Sequence, residues 1–318
     1  MLAAKIAMTG RRIVLMMLLG WTVMTAGLCP AAEASDKTIG VIMAADIPYY
    51  QAIHQAFLDQ LADAGLGTDK ATVHLQTPEP DPMAWANAAR KFIAYDVDLI
   101  ICYGLPATLA TLQERSKIPT VFAGVFYTDA LNLNKGNATG ITSTVPVETL
   151  VKNLKSLKAF ARLGIVLNGD ESDTVLATSR IEALQSKHAF QPVLFDLARI
   201  HDLPASTDID ALLFTSSVAA MSRIAPLMGG DATDSIPTAA TMGGGEDYGV
   251  MLTLKANPGE QGRSAADMAV QVLQGTAPAE IAVKHPTQID LVINLKAASN
   301  MGMAVPFNIL SAATKVIK

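Results

Sequence analysis

Residues able to do chemistry are sparse in this 318-residue chain, and most of them follow short apolar runs. Asp46 and Tyr49 come after the run 38–43. Tyr103, Gly104 and Pro106 come after 98–102, and Phe126, Tyr127 and Asp129 after 119–123. In the second half, Asn168, Glu171 and Asp173 follow 162–167. Ser216 and Ser217 follow 210–215, and Met242 and Gly243 follow 236–241. Carboxylates and hydroxyls in such loops hydrogen-bond a polar group, and aromatic rings stack on an apolar body. Helix starts near Ala107, Asp173 and Ser217 would add N–H groups that favour a carboxylate. The plainer reading is that loop serines cap helices and aromatics pack on a sheet. Spacing alone leaves both readings open.

Covalent chemistry has less support. The sequence holds no G-x-x-x-x-G-K-[ST] loop, no G-x-G-x-x-G after its first apolar run and no G-x-S-x-G elbow. His54, His74, His188, His201 and His285 are scattered, with no pair at metal-ligand spacing. No metal and no cofactor are expected, and the protein is not read as an enzyme. A net charge of −5 without a basic stripe argues against nucleic acid. An aromatic content of 5% argues against a stacking platform for single strands.

The elements that must position these loops alternate. Strands are expected at 38–43, 71–75, 98–102 and 119–123, with helices at 49–64, 82–95 and after Gly104. The pattern restarts with strands at 162–167, 192–195, 210–215 and 236–241 and helices at 173–187 and 219–228. Apolar runs with no polar face suit parallel strands covered on both sides. Two segments echo two others: 98–104 against 210–216, and Ile118-Pro119-Thr120-Val121 against Ile236-Pro237-Thr238-Ala239. The echo and the length point to two similar doubly wound lobes, whose facing strand ends make a cleft. Gly243-Gly244-Gly245 between two apolar runs reads as a joint where the chain leaves one lobe for the other, with Glu246, Asp247 and Tyr248 at the seam. A strand at 250–254, a helix at 261–274, a strand at 289–295 and short helices at 296–301 and 307–317 complete the chain.

The first 34 residues stand apart. Lys5, Arg11 and Arg12 precede an apolar run from Ile13 to Leu28, followed by Ala32-Glu33-Ala34. This is the layout of a signal peptide, cleaved after Ala34. The run is about 16 residues, short of the roughly 20 needed to span a bilayer. Leu28 stands where a lipid-attachment signal wants a small residue, so lipidation of Cys29 is not expected. The exported protein would keep only Cys102, read as a small buried hydrophobe.

Several segments resemble the ABC-transporter substrate-binding proteins of the tryptophan/tyrosine-binding type. They are Ile39-Gly40-Val41-Ile42; residues 99–107 with 118–123; Gly140-Ile141-Thr142; residues 261–275; and residues 290–298 with Gly302, Pro306, Leu310 and Ala313. The resemblance implies an α/β fold of two doubly wound parallel-sheet lobes joined by a three-crossing hinge, the type I periplasmic-binding-protein fold. The implied lobes are 35–139 with 247–279, and 140–246 with 280–318. Crossings are expected near Gly140, at Gly243 to Gly245 and near Ala279 to His285. The implied function is capture of an amino acid or similar small organic solute for an ABC permease. The protein is expected to act as a monomer in the periplasm, without nucleic acid. A binding protein that signals to a membrane receptor, or a cleft hydrolase or isomerase, are the alternatives the sequence leaves open.

Overall fold

A computed structural model describes residues 37–128, 133, 136–204, 208–229, 233 and 235–318. The expected signal segment with Cys29, and loop residues Asp129 and Ala130, lie outside the described residues.

The first lobe is built from β1 (Lys37–Met43), α1 (Pro48–Asp63), β2 (Ala71–Gln76), α2 (Pro82–Ala94), β3 (Leu99–Tyr103), α3 (Leu105–Gln113), β4 (Thr120–Val125) and β5 (Ala138–Thr142). The strands form a parallel sheet of order β2-β1-β3-β4-β5. The central strands have no polar face because both sides are covered; β3 and β4 are buried at every position. Proline stands in the first or second position of each helix, and Asp81 caps α2 by accepting from the N–H groups of Met83 (2.9 Å) and Ala84 (3.0 Å). The expected strands and helices of this half are present. β5 was expected only as a crossing segment, since Ala138-Thr139-Gly140 carries little strand signal by itself.

The second lobe contains α4 (Val147–Leu157), β6 (Arg162–Leu167), α5 (Ser172–Glu182), α6 (Gln185–His188), β7 (Gln191–Asp196), β8 (Ala211–Phe214), α7 (Val218–Ser222), α8 (Ile224–Met228), β9 (Thr238–Ala240) and β10 (Leu252–Ala256). Next comes α9 (Pro258–Leu273), which belongs to the first lobe and packs along α1. A Cβ at Gly262 would lie 2.3 Å from the Ile53 carbonyl oxygen, so these two helices touch backbone to backbone. The chain ends with β11 (Ile289–Asn294), α10 (Leu295–Asn300), α11 (Phe307–Ala312) and β12 (Lys315–Ile317). The second sheet runs β12-β11-β10-β9-β8-β6-β7.

Two expectations need correction. The strand after the glycine run was placed in the first lobe, yet β10 pairs with β9 and β11 inside the second sheet. The passage to the first lobe comes after Ala256, not at Gly243–Gly245. The glycines turn the chain within one lobe and lend it no hinge. The tail at 307–317 was read as helix, but its last residues form β12, parallel to β11. β11 also breaks the parallel pattern by running opposite to β10. The reason is connectivity: β10 ends where the chain departs for α9, and the returning chain re-enters at the same end, with the Asn257 N–H on the Gln288 carbonyl at 2.9 Å.

Three strands of chain link the lobes. One follows Thr142, one lies at Ala256–Pro258, and one follows Lys284, which still bridges to Ile141 in the first sheet. Tyr49 and Gln261 tie the first two together. The Tyr49 hydroxyl donates to the Ala256 carbonyl (3.1 Å) and sits 3.1 Å from Ser143 Oγ. The Gln261 amide accepts from Ser143 Oγ (2.8 Å) and the Gly124 N–H (3.1 Å), and donates to the Thr142 carbonyl (2.8 Å).

Candidate functional site

The carboxyl ends of β1, β3 and β4 face those of β6, β8 and β9 across a seam. Most residues singled out in the sequence border it, but they divide into three groups.

The first group braces the frame. Tyr49 spends its hydroxyl on the linking strands, as above, and burial raises its pKa well above the ordinary phenol value. The Tyr103 hydroxyl meets His54 Nδ1 at 3.2 Å. Gly104 starts α3 at φ 91°, and a Cβ there would stand 2.5 Å from the Tyr50 hydroxyl, so this position takes glycine on both counts. Met242 is fully buried, and a Cβ on Gly243 would lie 2.8 Å from Lys255 Nζ and 3.3 Å from Tyr49. Close approach is therefore what the glycine run supplies. Glu246 fastens it, accepting from the Gly244 N–H (2.8 Å) and from Lys255 Nζ (2.6 Å). Of the polar cluster after the glycines only Glu246 turns inward; Asp247 and Tyr248 are exposed. Asp46 is also exposed and accepts from the Gln51 amide at 2.6 Å.

The second group is an acid–hydroxyl cluster on the second lobe. Glu171 is buried and accepts from four donors: the N–H groups of Val218 (2.7 Å) and Ala219 (3.0 Å), Ser217 Oγ (3.2 Å) and Asn168 Nδ2 (3.0 Å). The helix start near Ser217, expected to meet a carboxylate, is thus occupied by the chain's own. Asp173 is buried beside it. One oxygen accepts from Ser216 Oγ at 3.1 Å; the other, Oδ1, has no partner. The backbone N–H groups of Asp173 and Thr174 lie near enough to favour its ionised form but make no aligned hydrogen bond to it. Burial, and next the Glu171 charge, push the Asp173 carboxyl up to about 8. Burial also raises Glu171, against the opposing pull of its four donors.

The third group faces this cluster from the first lobe. The Tyr50 and Tyr127 phenols are raised chiefly by burial, and the Asp173 charge raises both, so both phenols lie within its electrostatic reach. Tyr127 has φ 57° and packs beside Phe126, ring centroids 6.3 Å apart. The Arg180 guanidinium, on α5 of the opposite lobe, covers the Tyr127 ring at 4.3 Å. The lobes are therefore in contact through these side chains. Pro106 lines a groove of about 210 Å³ at the rim, with Trp85 and Leu109 on one side and Asp170 and Glu171 on the other. Thr128 and Thr241, each just past a strand end, carry further buried hydroxyls without partners.

Tyr50, Arg180, Thr128, Thr241 and Lys255 were not foreseen. Tyr50 stands next to Tyr49, and the helical turn that separates their directions held the signal. Nothing in the spacing of Arg180 could reveal a ring on another lobe. Among the described residues no group of three or more His, Cys, Asp or Glu side chains is placed to hold a metal ion.

Two sheets of α/β build, closing by their strand ends over a polar and aromatic seam, define a two-lobed binding protein. Residues 38–317 match the family model of ABC transporter substrate binding proteins, and the chain belongs to that family. A tyrosine-binding protein of Clostridioides difficile is 22% identical over 280 residues, covering 81% of this chain and 79% of that one. The fold is similar to that of an ABC domain from Streptococcus pneumonia solved in complex with L-Trp, with a TM-score of 0.83 and 22% identity over 89% of this chain and 100% of that one. A conserved domain protein from Vibrio cholerae matches with a TM-score of 0.82 and 21% identity, over 89% of this chain and all of that one. The chain is thus an ABC-transporter substrate-binding protein, which captures a small molecule between its lobes. Such proteins work outside the cytoplasm and deliver to a membrane permease.

Proposed function

We propose that this protein captures a small, amine-bearing aromatic solute of amino-acid size in the periplasm and surrenders it to an ABC permease, acting as a monomer and without covalent chemistry. The observation that carries this reading is Asp173: a buried carboxyl with one oxygen unpartnered, in a seam that also holds Tyr50 and Tyr127, whose phenols feel its charge. A buried carboxylate without a partner is costly, and a ligand ammonium removes that cost. The names of the tyrosine-binding relative and the L-Trp complex support an aromatic solute. Tyr50, Phe126, Tyr127, Asp173, Ser216, Thr128 and Thr241 are the residues proposed to touch it. Asp46, Tyr49, Tyr103, Asn168, Glu171 and Ser217 hold the frame instead. The two loop serines give their hydroxyls to carboxylates rather than to a histidine base, which favours binding over hydrolysis. Isothermal titration with aromatic amino acids and amines, with X-ray scattering for compaction, tests the reading. Micromolar binding with compaction supports it; a panel without a single binder overturns it.

A further inference from the structure

The seam treats the two charges of an amino acid unequally. Asp173 is ready for a cation: it is buried, its Oδ1 has no partner, and its helix meets the first lobe where Arg180 covers the Tyr127 ring, with the Tyr50 and Tyr127 phenols close enough to feel its charge. A carboxylate with an open oxygen and aromatic rings in the same seam suit a protonated aromatic amine. A ligand carboxylate finds no uncommitted cation among the described residues of the seam, only the unpartnered Thr128 and Thr241 hydroxyls. The N–H groups of Val218 and Ala219 already hold Glu171. Lys255 is committed to Glu246 at 2.6 Å. Arg180 lies at the exposed rim over Tyr127. A carboxylate pressed into the seam would also meet the like charges of Glu171 and Asp173.

Building on the capture function above, we propose that the ligand class is arylalkyl amines: organic cations recognised through the amine, for which a carboxylate is dispensable. The first lobe supplies the stacking rings and the second supplies the counter-ion, so closure itself assembles the cation site. An amine that reaches both surfaces binds the closed form better than the open one, which is the condition for driving closure.

The experiment uses the purified exported chain at pH 8 with three pairs of probes: tryptamine and tyramine, L-tryptophan and L-tyrosine, and indole-3-propionate and 4-hydroxyphenylpropionate. The expected result is that at least one amine binds as tightly as its amino acid or better, with the matching acid at least 100-fold weaker. An amino acid that binds while its amine is tenfold or more weaker overturns the amine class and leaves the capture function standing. A panel in which neither amines nor amino acids bind overturns both. As a second readout, Asp173→Asn should weaken the bound amine at least 30-fold while the thermal midpoint holds or rises. An unchanged affinity in that variant overturns the role of Asp173.

Discussion

The guanidinium carbon of Arg180 lies 4.3 Å from the centroid of the Tyr127 ring, and the two residues belong to opposite lobes. An exposed cation–π contact contributes about 0.5–1 kcal/mol. Because it exists only when the lobes meet, that free energy belongs to closure and not to the folding of either lobe. Arg180→Ala should therefore weaken ligand binding roughly two- to fivefold, with a larger radius of gyration by scattering and little change in unfolding midpoint. Equal affinities in the variant and the parent would show that the contact does not bias closure.

Asp173 makes stability depend on pH in an unusual direction. Its carboxyl is raised from 3.8 to about 8, so the folded state holds the proton more tightly than the unfolded chain. The stability linked to that proton is complete below pH 4 and is lost as pH rises through about 8. Glu171 shifts the same way. Ser216 donates to Asp173, the Tyr50 and Tyr127 phenols feel its charge, and Arg180 on the same helix covers the Tyr127 ring. Asp173→Asn should raise the thermal midpoint at pH 8 and leave it nearly unchanged at pH 4.5, by scanning calorimetry across that range.

The same group couples binding to protons. A cation binds the ionised form of Asp173, so its affinity should rise up to tenfold per pH unit between pH 6 and about 8, then level off. Titration in two buffers of different ionisation enthalpy should detect about one proton released per amine bound near pH 6.5. A pH-independent affinity over this window would exclude a protonated Asp173 in the unliganded protein.

Glu246 behaves oppositely. Despite burial, Lys255 and the Gly244 N–H hold its carboxyl below the ordinary value of 4.5. Its contribution is present above pH 4.5 and disappears as pH falls through the lowered folded value. Lys255→Met strands a buried carboxylate and should cost about 3–5 kcal/mol by urea denaturation at pH 7. Pairing it with Glu246→Gln should restore a large part of the loss. Failure of that second change to help would mean that the Lys255 stem, rather than its charge, supports the glycine run.

Gln261 joins the linking strands through three buried hydrogen bonds, to Ser143, Gly124 and Thr142. Gln261→Leu leaves the Gly124 N–H and Thr142 carbonyl without this partner and should destabilise by about 2–4 kcal/mol. Tyr49→Phe removes only one hydroxyl and should cost about 1–2 kcal/mol. Chemical denaturation would rank the two, and the reverse order would contradict the arrangement of this network.

Composition, apolar runs and proline and glycine placement sufficed to specify the alternation of strands and helices, and hence two α/β lobes. Those signals are local: Pro82 fixes the start of a helix, and β3 needs no polar face because both of its sides are covered. The terminal segments also carried the family resemblance. Which lobe owned β10 was not local. It depends on hydrogen bonds from Leu252 and Thr253 to the neighbouring β9, so the glycine run could be mistaken for a joint.

The candidate site divides in the same way. Asp173, Ser216 and Tyr127 could be found because they follow strands whose ends must face a cleft. That Ser217, Val218 and Ala219 would enclose Glu171, leaving Asp173 with an open oxygen, was decided by tertiary contacts between residues more than 40 positions apart. Sequence thus selects the groups that come to a strand end, because that choice rests on local backbone preference. Only the packed molecule settles which of those groups satisfy one another and which remain for a ligand, because that depends on distances between loops that follow different strands.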